Sequence, residues 1–245
     1  MKKRKKRRSV RKLPILILLF IIAVTVTLTT PTFNIKSIEV RGNEKVLTED
    51  IILNSGIMTG TNLFTFSKSS AIEGIKRLSY IDTVKIQRKI PKTVLITVTE
   101  CELAAYIEAG NQLVGIDKKG KVLELSPKNT KPDKPLVKGI ALTKSETGQI
   151  IETKSEDGAQ TLVKFISKLE EYGALDNTAE IRIKSRNDIQ FITTSGLRVM
   201  IGSENEIDYK FKYYQSVLQN IGEDSGGVLD LTSGSEKATY RKSDD

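Results

Sequence analysis

The side chains that most often carry out catalysis or bind metals are scarce in this sequence. Its 245 residues include no histidine, which removes the commonest general base, the usual hydrolase triads and most zinc and iron sites. The single cysteine, Cys101, cannot form an intrachain disulfide, and its place after a strand-like run predicts a small half-buried residue rather than a reactive thiol. There is no G-x-G-x-x-G motif and no P-loop. The sequence therefore predicts no catalytic residue, no metal site and no cofactor.

Two short patterns resemble functional motifs only superficially. Ser9 and Lys12 have the Ser-x-x-Lys spacing of a catalytic dyad, but both lie in a run of basic residues. The segment Asp117-Lys118-Lys119-Gly120 starts like a calcium-binding loop, yet the alternating acidic ligands are missing. We expect a hairpin turn there instead.

The net charge of the chain is concentrated at its N-terminus. The 39 Lys and Arg residues exceed the 30 Asp and Glu residues by nine. Nine cations and no anion lie within residues 1–12, namely Lys2, Lys3, Arg4, Lys5, Lys6, Arg7, Arg8, Arg11 and Lys12. Because 39 − 9 = 30, residues 13–245 carry no net charge. We therefore expect no nucleic-acid partner. No small-molecule substrate is expected either.

An uncharged apolar run from Leu13 to Thr30 follows the basic residues directly. As a helix it would rise about 27 Å, close to the roughly 30 Å hydrocarbon core of a bilayer. The sequence predicts a single transmembrane helix over residues 13–30, with the basic tail 1–12 in the cytoplasm and the rest outside the membrane. A cleaved signal peptide is an alternative, opposed by the length of the run and the lack of a small-residue cleavage site. A basic patch for nucleic acid is another, opposed by its direct junction with the apolar run.

Residues 33–100 have the pattern of a small α+β domain. Alternating apolar residues predict strands around Ile38–Val40, Val84–Ile86 and Val94–Val98. Two helices are expected between the first two strands, one starting at Thr48 and one near Ser67. The predicted order is β-α-α-β-β, a three-stranded sheet covered by two helices on one face.

Residues 101–241 predict a mixed β-sheet domain with two amphipathic helices, which keeps the whole chain in the α+β class. Strands are expected first, followed by a proline-containing loop (Pro127, Pro132, Pro135) and a helix over 158–172. Further strands are expected after this helix. The second helix has the cleanest period, with Ile207, Phe211, Tyr214, Leu218 and Ile221 on one face. Short terminal strands are predicted at Val228–Leu231 and Ala238–Arg241, and residues 242–245 are expected to be disordered.

Several patterns, in their order along the chain, resemble the FtsQ/DivIB family of cell-division proteins. Behind the basic tail and apolar run come Phe33-x-Ile35-x-x-Ile38-x-Val40-x-Gly42-Asn43, Gly56-Ile57-x-x-Gly60-x-Asn62-Leu63-Phe64, Ile90-Pro91-Lys92-Thr93-Val94-x-Ile96-x-Val98-x-Glu100, Ile116-Asp117-x-x-Gly120-x-Val122 and Leu229-Asp230-Leu231. The third resembles the end of that family's POTRA domain, the fourth the opening hairpin of its β-domain, and the fifth its penultimate strand. The resemblance covers nearly the whole chain and depends on the order and spacing of individually weak motifs.

Two positions depart from the family pattern. The family usually has Glu-Arg and then a proline at the entry to the β-domain, where this chain has Glu100-Cys101-Glu102-Leu103. An arginine often follows the Asp-Leu pair near the end, where this chain has Thr232.

The resemblance implies a non-enzymatic divisome scaffold in the cell membrane, concentrated at the division septum. Its expected partners are small single-pass coiled-coil proteins of the FtsB/DivIC and FtsL kind. In this family a segment of the partner pairs with a sheet edge left by the last strands, by β-augmentation. The implied partner-binding residues are Val228, Leu229, Asp230, Leu231, Ala238, Thr239, Tyr240 and Arg241. Tyr240 would be an aromatic anchor and Arg241 would bind a carboxylate.

Two other function classes remain open. POTRA domains also occur in export and assembly factors, but those usually carry repeated POTRA domains and a membrane β-barrel, for which this chain has no room. A membrane-anchored cell-wall enzyme would need two of the scattered carboxylates to converge in a glycosidase-like cleft.

Overall fold

The computed structural model describes residues 12–28, 30–222, 226–234 and 238–242. The chain divides into two compact units, with the boundary between Glu100 and Cys101. Most of the predicted basic tail (residues 1–11) and of the predicted disordered end (residues 243–245) lies outside the described residues.

The first described element is the helix α1, Lys12–Leu28, of 17 residues. Within the described parts of the chain, no helix has the combination of length and hydropathy that a membrane crossing requires. A short 3-10 turn, Pro31–Phe33, leads into the first unit.

The first unit has the predicted β-α-α-β-β order. Its elements are β1 (Ser37–Arg41), α2 (Thr48–Ser55), α3 (Lys68–Ile75), β2 (Ile81–Lys89) and β3 (Thr93–Glu100). The three strands form a sheet in the order β1-β3-β2, in which β1 is parallel and β2 antiparallel to β3. Buried residues of both helices, β2 and β3 form one apolar core, and the half-buried Ile38 and Val40 of β1 pack against it.

Local chemistry explains where α3 begins and where α2 ends. The Ser67 hydroxyl accepts a hydrogen bond from the Ser70 amide and so caps the start of α3. Gly56 ends α2 in the left-handed conformation, at φ 64°. The helices also pack closely, because a Cβ atom at Gly74 would lie 2.0 Å from the carbonyl oxygen of Asn54.

Glu100, the last residue of the first unit, ties its final strand to the loop after β1. Its carboxylate accepts hydrogen bonds from the backbone amides of Glu44, Lys45 and Val46, at 3.1, 2.8 and 2.9 Å. The Glu100 carboxylate is thus held by backbone groups of its own unit.

The second unit is built on one sheet of nine strands. Their ranges are β4 (Ala105–Ala109), β5 (Gln112–Ile116), β6 (Val122–Pro127), β7 (Leu136–Lys138), β10 (Thr178–Ser185), β11 (Asp188–Thr193), β12 (Leu197–Gly202), β13 (Gly227–Asp230) and β14 (Thr239–Arg241). A separate small hairpin contains β8 (Leu142–Lys144) and β9 (Glu152–Thr153). The sheet order is β14-β13-β12-β11-β10-β7-β4-β5-β6.

Helices α4 (Gly158–Glu171) and α5 (Ile207–Ile221) pack against this sheet and close its core. Phe165 of α4 and Phe211 of α5 lie 5.9 Å apart between ring centroids, and both rings lie 6.1 Å from Phe191 of β11. These fully buried rings form the centre of the unit.

The prediction of a proline-containing loop before the helix at 158 was wrong, because this stretch contains strands β7, β8 and β9. Leu136–Lys138 is strand β7, which pairs in parallel with β4 on one side and with β10 on the other. Its central residue, Val137, is completely buried. This short strand joins the N-terminal and C-terminal strands of the unit into one sheet.

Candidate partner-binding edge

The last two strands of the chain lie at one end of the nine-stranded sheet. β13 is parallel to β12, and β14 is antiparallel to β13. Within the described part of the chain, no strand lies beyond β14. All eight residues proposed for partner binding therefore lie on the outermost strand or beside it, and their environments differ sharply.

Most of the residues on and after β13 stabilise the position of β14 through core packing or hydrogen bonds. Leu229 and Leu231 are buried in the core, whereas Val228 and Asp230 are half-buried. The Asp230 carboxylate accepts hydrogen bonds from the amide and the hydroxyl of Thr232, at 2.9 and 2.7 Å, and so holds the turn after the strand. Because β12 and β14 flank it, β13 itself is an interior strand.

The residues on and before β14 divide between the two faces of the sheet. Ala238 and Tyr240 are half-buried and pack against the core. The Tyr240 hydroxyl donates a hydrogen bond to the carbonyl oxygen of Gly226 at 2.9 Å. Thr239 and Arg241 are exposed. Tyr240 therefore contributes to the fold as well as to the edge, and Thr239 and Arg241 are the residues free to contact a partner.

The strand register places a second arginine in the same row as Arg241. Arg241 is opposite Val228, and Val228 is opposite Arg198 on β12. Arg198 and Arg241 are exposed and lie on the face without helices, two strands or about 10 Å apart. Sequence reasoning missed Arg198, although its alternation with Leu197 and Val199 in the predicted strand placed it on the outer face.

A buried lysine holds the turn that lies behind these strands. Lys210 of α5 is 2% exposed, and its ammonium donates hydrogen bonds to the carbonyl oxygens of Ile201 and Ser203, at 2.8 and 2.9 Å. Burial lowers the pKa of Lys210 below the ordinary lysine value. Sequence reasoning missed this residue too, although position 210 lies three residues after Ile207 on the apolar face of the helix.

The turn held by Lys210 contacts the connection between β13 and β14. A Cβ atom at Gly202 would lie 3.1 Å from the Thr232 side chain. A Cβ atom at Gly234 would lie 2.5 Å from a carboxylate oxygen of Glu206. The described start of this connection, residues 231–234, is therefore packed against a turn with fixed backbone partners.

The other edge of the sheet, strand β6, is covered at its start. The amide of Val122 donates to the carbonyl of Gln149, and the amide of Gly148 donates to the carbonyl of Val122, both at 2.8 Å. Lys121 and Ile150 form an isolated bridge beside them. At its far end β6 finishes with Pro127, which has no amide hydrogen to donate.

The fold and this edge define an α+β protein in which a POTRA domain precedes a mixed-sheet domain with an open terminal edge. The family model described as "POTRA domain, FtsQ-type" matches residues 33–100. The model described as "Cell division protein FtsQ/DivIB, C-terminal" matches residues 105–232. The chain therefore belongs to the FtsQ/DivIB family of cell-division proteins. The C-terminal match includes β13 and ends before β14.

Curated relatives support the same assignment. The chain is 34% identical over 225 residues to cell division protein DivIB of Clostridium botulinum strain Hall, a match that covers 88% of this chain and 84% of that protein. It is 28% identical over 217 residues to DivIB of Staphylococcus aureus strain NCTC 8325, covering 86% of this chain and 47% of that protein. It is 24% identical over 242 residues to DivIB of Bacillus subtilis strain 168, covering 98% and 86% of the two chains.

We expect Lys210→Met to lower the free energy of unfolding by about 1–3 kcal/mol, because two buried carbonyl oxygens lose their donor. The difference from the wild type should widen at alkaline pH. Because burial lowers the pKa of Lys210, the unfolded chain holds this proton at pH values where the folded chain has released it. Wild-type stability therefore rises as the pH approaches the ordinary lysine value of 10.5, and the variant lacks that rise. Urea unfolding at neutral and alkaline pH measures both effects.

The matched control is Lys212→Met, an exposed lysine on the same helix, which should change stability little at either pH. A Lys210→Met variant as stable as the wild type, or a difference that shrinks with rising pH, would contradict this role for Lys210.

Proposed function

We propose that this protein is a non-enzymatic scaffold of the cell-division machinery that captures a strand of a small coiled-coil membrane protein on β14. The expected partners are of the FtsB/DivIC and FtsL kind. The observation that carries the proposal is the difference between the two ends of the nine-stranded sheet. Residues 148–151 pair with the start of β6, and β6 ends at Pro127, whereas no described strand pairs with the outer side of β14.

The chemistry of capture is β-augmentation. A strand docked beside β14 gains backbone hydrogen bonds along its length, and alternate side chains fall on opposite faces of the sheet. On the helix side its neighbours are Ala238 and Tyr240, which favour apolar residues. On the open side its neighbours are Thr239 and Arg241, which favour polar and acidic residues.

Rigid support makes this edge suitable for binding. Tyr240 is fixed by its hydrogen bond to Gly226, and the preceding turn is fixed by Asp230. A partner strand that meets a pre-formed edge orders fewer groups on binding, so less of the interaction free energy is lost to conformational entropy.

We also propose that the protein is anchored in the cell membrane by its N-terminal segment and acts at the division septum. The support is the sequence, in which nine cations precede an uncharged apolar run directly. The positive-inside rule then puts the N-terminus in the cytoplasm and both folded units outside.

The position of a fluorescent fusion at the N-terminus, followed in growing cells, tests the cellular role. We expect a narrow band at midcell that forms before constriction begins. A fusion that lacks residues 1–30 should lose the membrane signal, which tests the anchor separately. A uniform envelope signal in dividing cells would contradict the division role and favour an export or assembly function.

We expect Arg241→Glu to weaken binding of the extracytoplasmic segment of the FtsB/DivIC-like protein roughly tenfold. The reason is that the change replaces attraction for an acidic partner residue by repulsion. Arg241 is exposed, so the thermal midpoint should stay close to that of the wild type. Titration calorimetry with the purified partner segment measures the affinity.

The control is Lys212→Glu, the same charge reversal on the exposed side of α5. Equal losses of affinity in the two variants would show that net charge, rather than the β14 edge, attracts the partner. Unchanged affinity in Arg241→Glu would also contradict the proposed site.

A further inference from the structure

A second feature of the sheet domain lies away from its terminal edge. A half-open cavity of about 490 Å³ lies beside the carboxyl ends of the parallel strands β7 and β10. Three parts of the chain line it. These are residues 139–141 after β7, residues 183–186 at the end of β10, and a set around the start of α4 made of Thr153, Lys154, Ser155, Asp157, Gly158 and Thr161. Crevices at the carboxyl ends of parallel strands are common ligand sites in sheets with helical crossovers.

The charged side chains that line the cavity are mostly cations. Lys154, Lys184 and Arg186 contribute three positive charges, and Asp157 contributes the one negative charge. Arg186 and Asp157 form an ion pair at 3.4 Å. The lining therefore has a net charge of +2 (3 − 1). Because Arg186 and Asp157 neutralise each other, this charge resides on the two lysines.

The two lysines are available to a ligand. Lys184 has only a distant carboxylate contact, 3.6 Å from Asp188, and its side chain is 70% exposed. Lys154 is exposed and forms no ion pair within the described part of the chain. Among the residues that the structure describes, neither ammonium group donates a hydrogen bond that holds the fold together.

The remaining lining suits an organic molecule rather than a bare ion. Ser155 and Ser185 add hydroxyl groups, and Ile140 and Ala141 add apolar surface. The volume is within the range of about 300–1,000 Å³ that is usual for small-molecule sites and is far larger than one oxyanion.

We propose that this cavity binds a small organic phosphomonoester, with Lys154 and Lys184 as the phosphate-binding residues. A phosphomonoester carries between about −1.5 and −2 charges near neutral pH, which matches the net charge of the lining. Its compact group of three acceptor oxygens can accept from ammonium and hydroxyl donors of different segments at once. The organic part contacts Ile140 and Ala141. β10 is the fifth strand counted from β14, so this site is separate from the proposed partner edge.

The test uses the purified full chain and glucose 1-phosphate as the probe, observed by saturation-transfer NMR and titration calorimetry. We expect binding with a millimolar or lower dissociation constant, and none for methyl glucoside, which has the sugar without the phosphate. The double variant Lys154→Gln/Lys184→Gln should weaken binding at least roughly tenfold. Lys85→Gln, which removes an exposed lysine of the first unit, should bind as the wild type does.

Thermal midpoints of all variants show whether the fold is retained. If the double variant is unstable, the single variant Lys184→Gln serves as a second test and should also bind glucose 1-phosphate more weakly than the wild type. No binding of glucose 1-phosphate, equal binding of methyl glucoside, or undiminished binding by the folded double variant would overturn the proposal. Glutarate, a dicarboxylate, serves as a further competitor. Glutarate binding as tight as that of glucose 1-phosphate would overturn the phosphate assignment.

Discussion

Backbone N–H and C=O groups in a sheet need hydrogen-bond partners, and a sheet that does not close has two edges at which such groups face outward. The two edges of the nine-stranded sheet differ in how far they are covered. The β6 edge is occupied in part by residues 148–151 and finishes in a proline. The β14 edge consists of three residues with exposed Thr239 and Arg241. A strand this short limits unwanted pairing between copies, yet it offers a defined start for a partner strand whose side chains fit both faces.

The position of β14 depends on residues outside that strand. Leu229 anchors the neighbouring strand in the core, and the Asp230 carboxylate closes the turn after it. Lys210 holds the adjacent turn through two backbone carbonyl groups. A charged group in this position is costly to bury, and its two hydrogen bonds offset part of that cost. The proposed recognition surface is thus small, and residues outside it, such as Leu229 and Lys210, determine its position.

Sequence reasoning predicted the elements whose pattern repeats over many residues. The β-α-α-β-β unit and helix α5, with its five apolar positions on one face, are examples. It failed at β7, because a strand of three residues is too short to show alternation, and its partners β4 and β10 lie far away in the sequence. The terminal strands could be placed from alternation and family resemblance. The strand register decides that Leu229 is buried while Arg241 is exposed, and it places Arg198 and Arg241 in one row. A single sequence does not specify this register.

Capture of a partner strand by β14 can be tested by hydrogen exchange of the backbone amides, with and without the extracytoplasmic segment of the FtsB/DivIC-like partner. We expect the partner to slow exchange at Thr239–Arg241 and to leave the amides of β6 at the opposite edge unaffected. Protection at β6, or binding without any change at Thr239–Arg241, would contradict capture of a partner strand by the terminal edge.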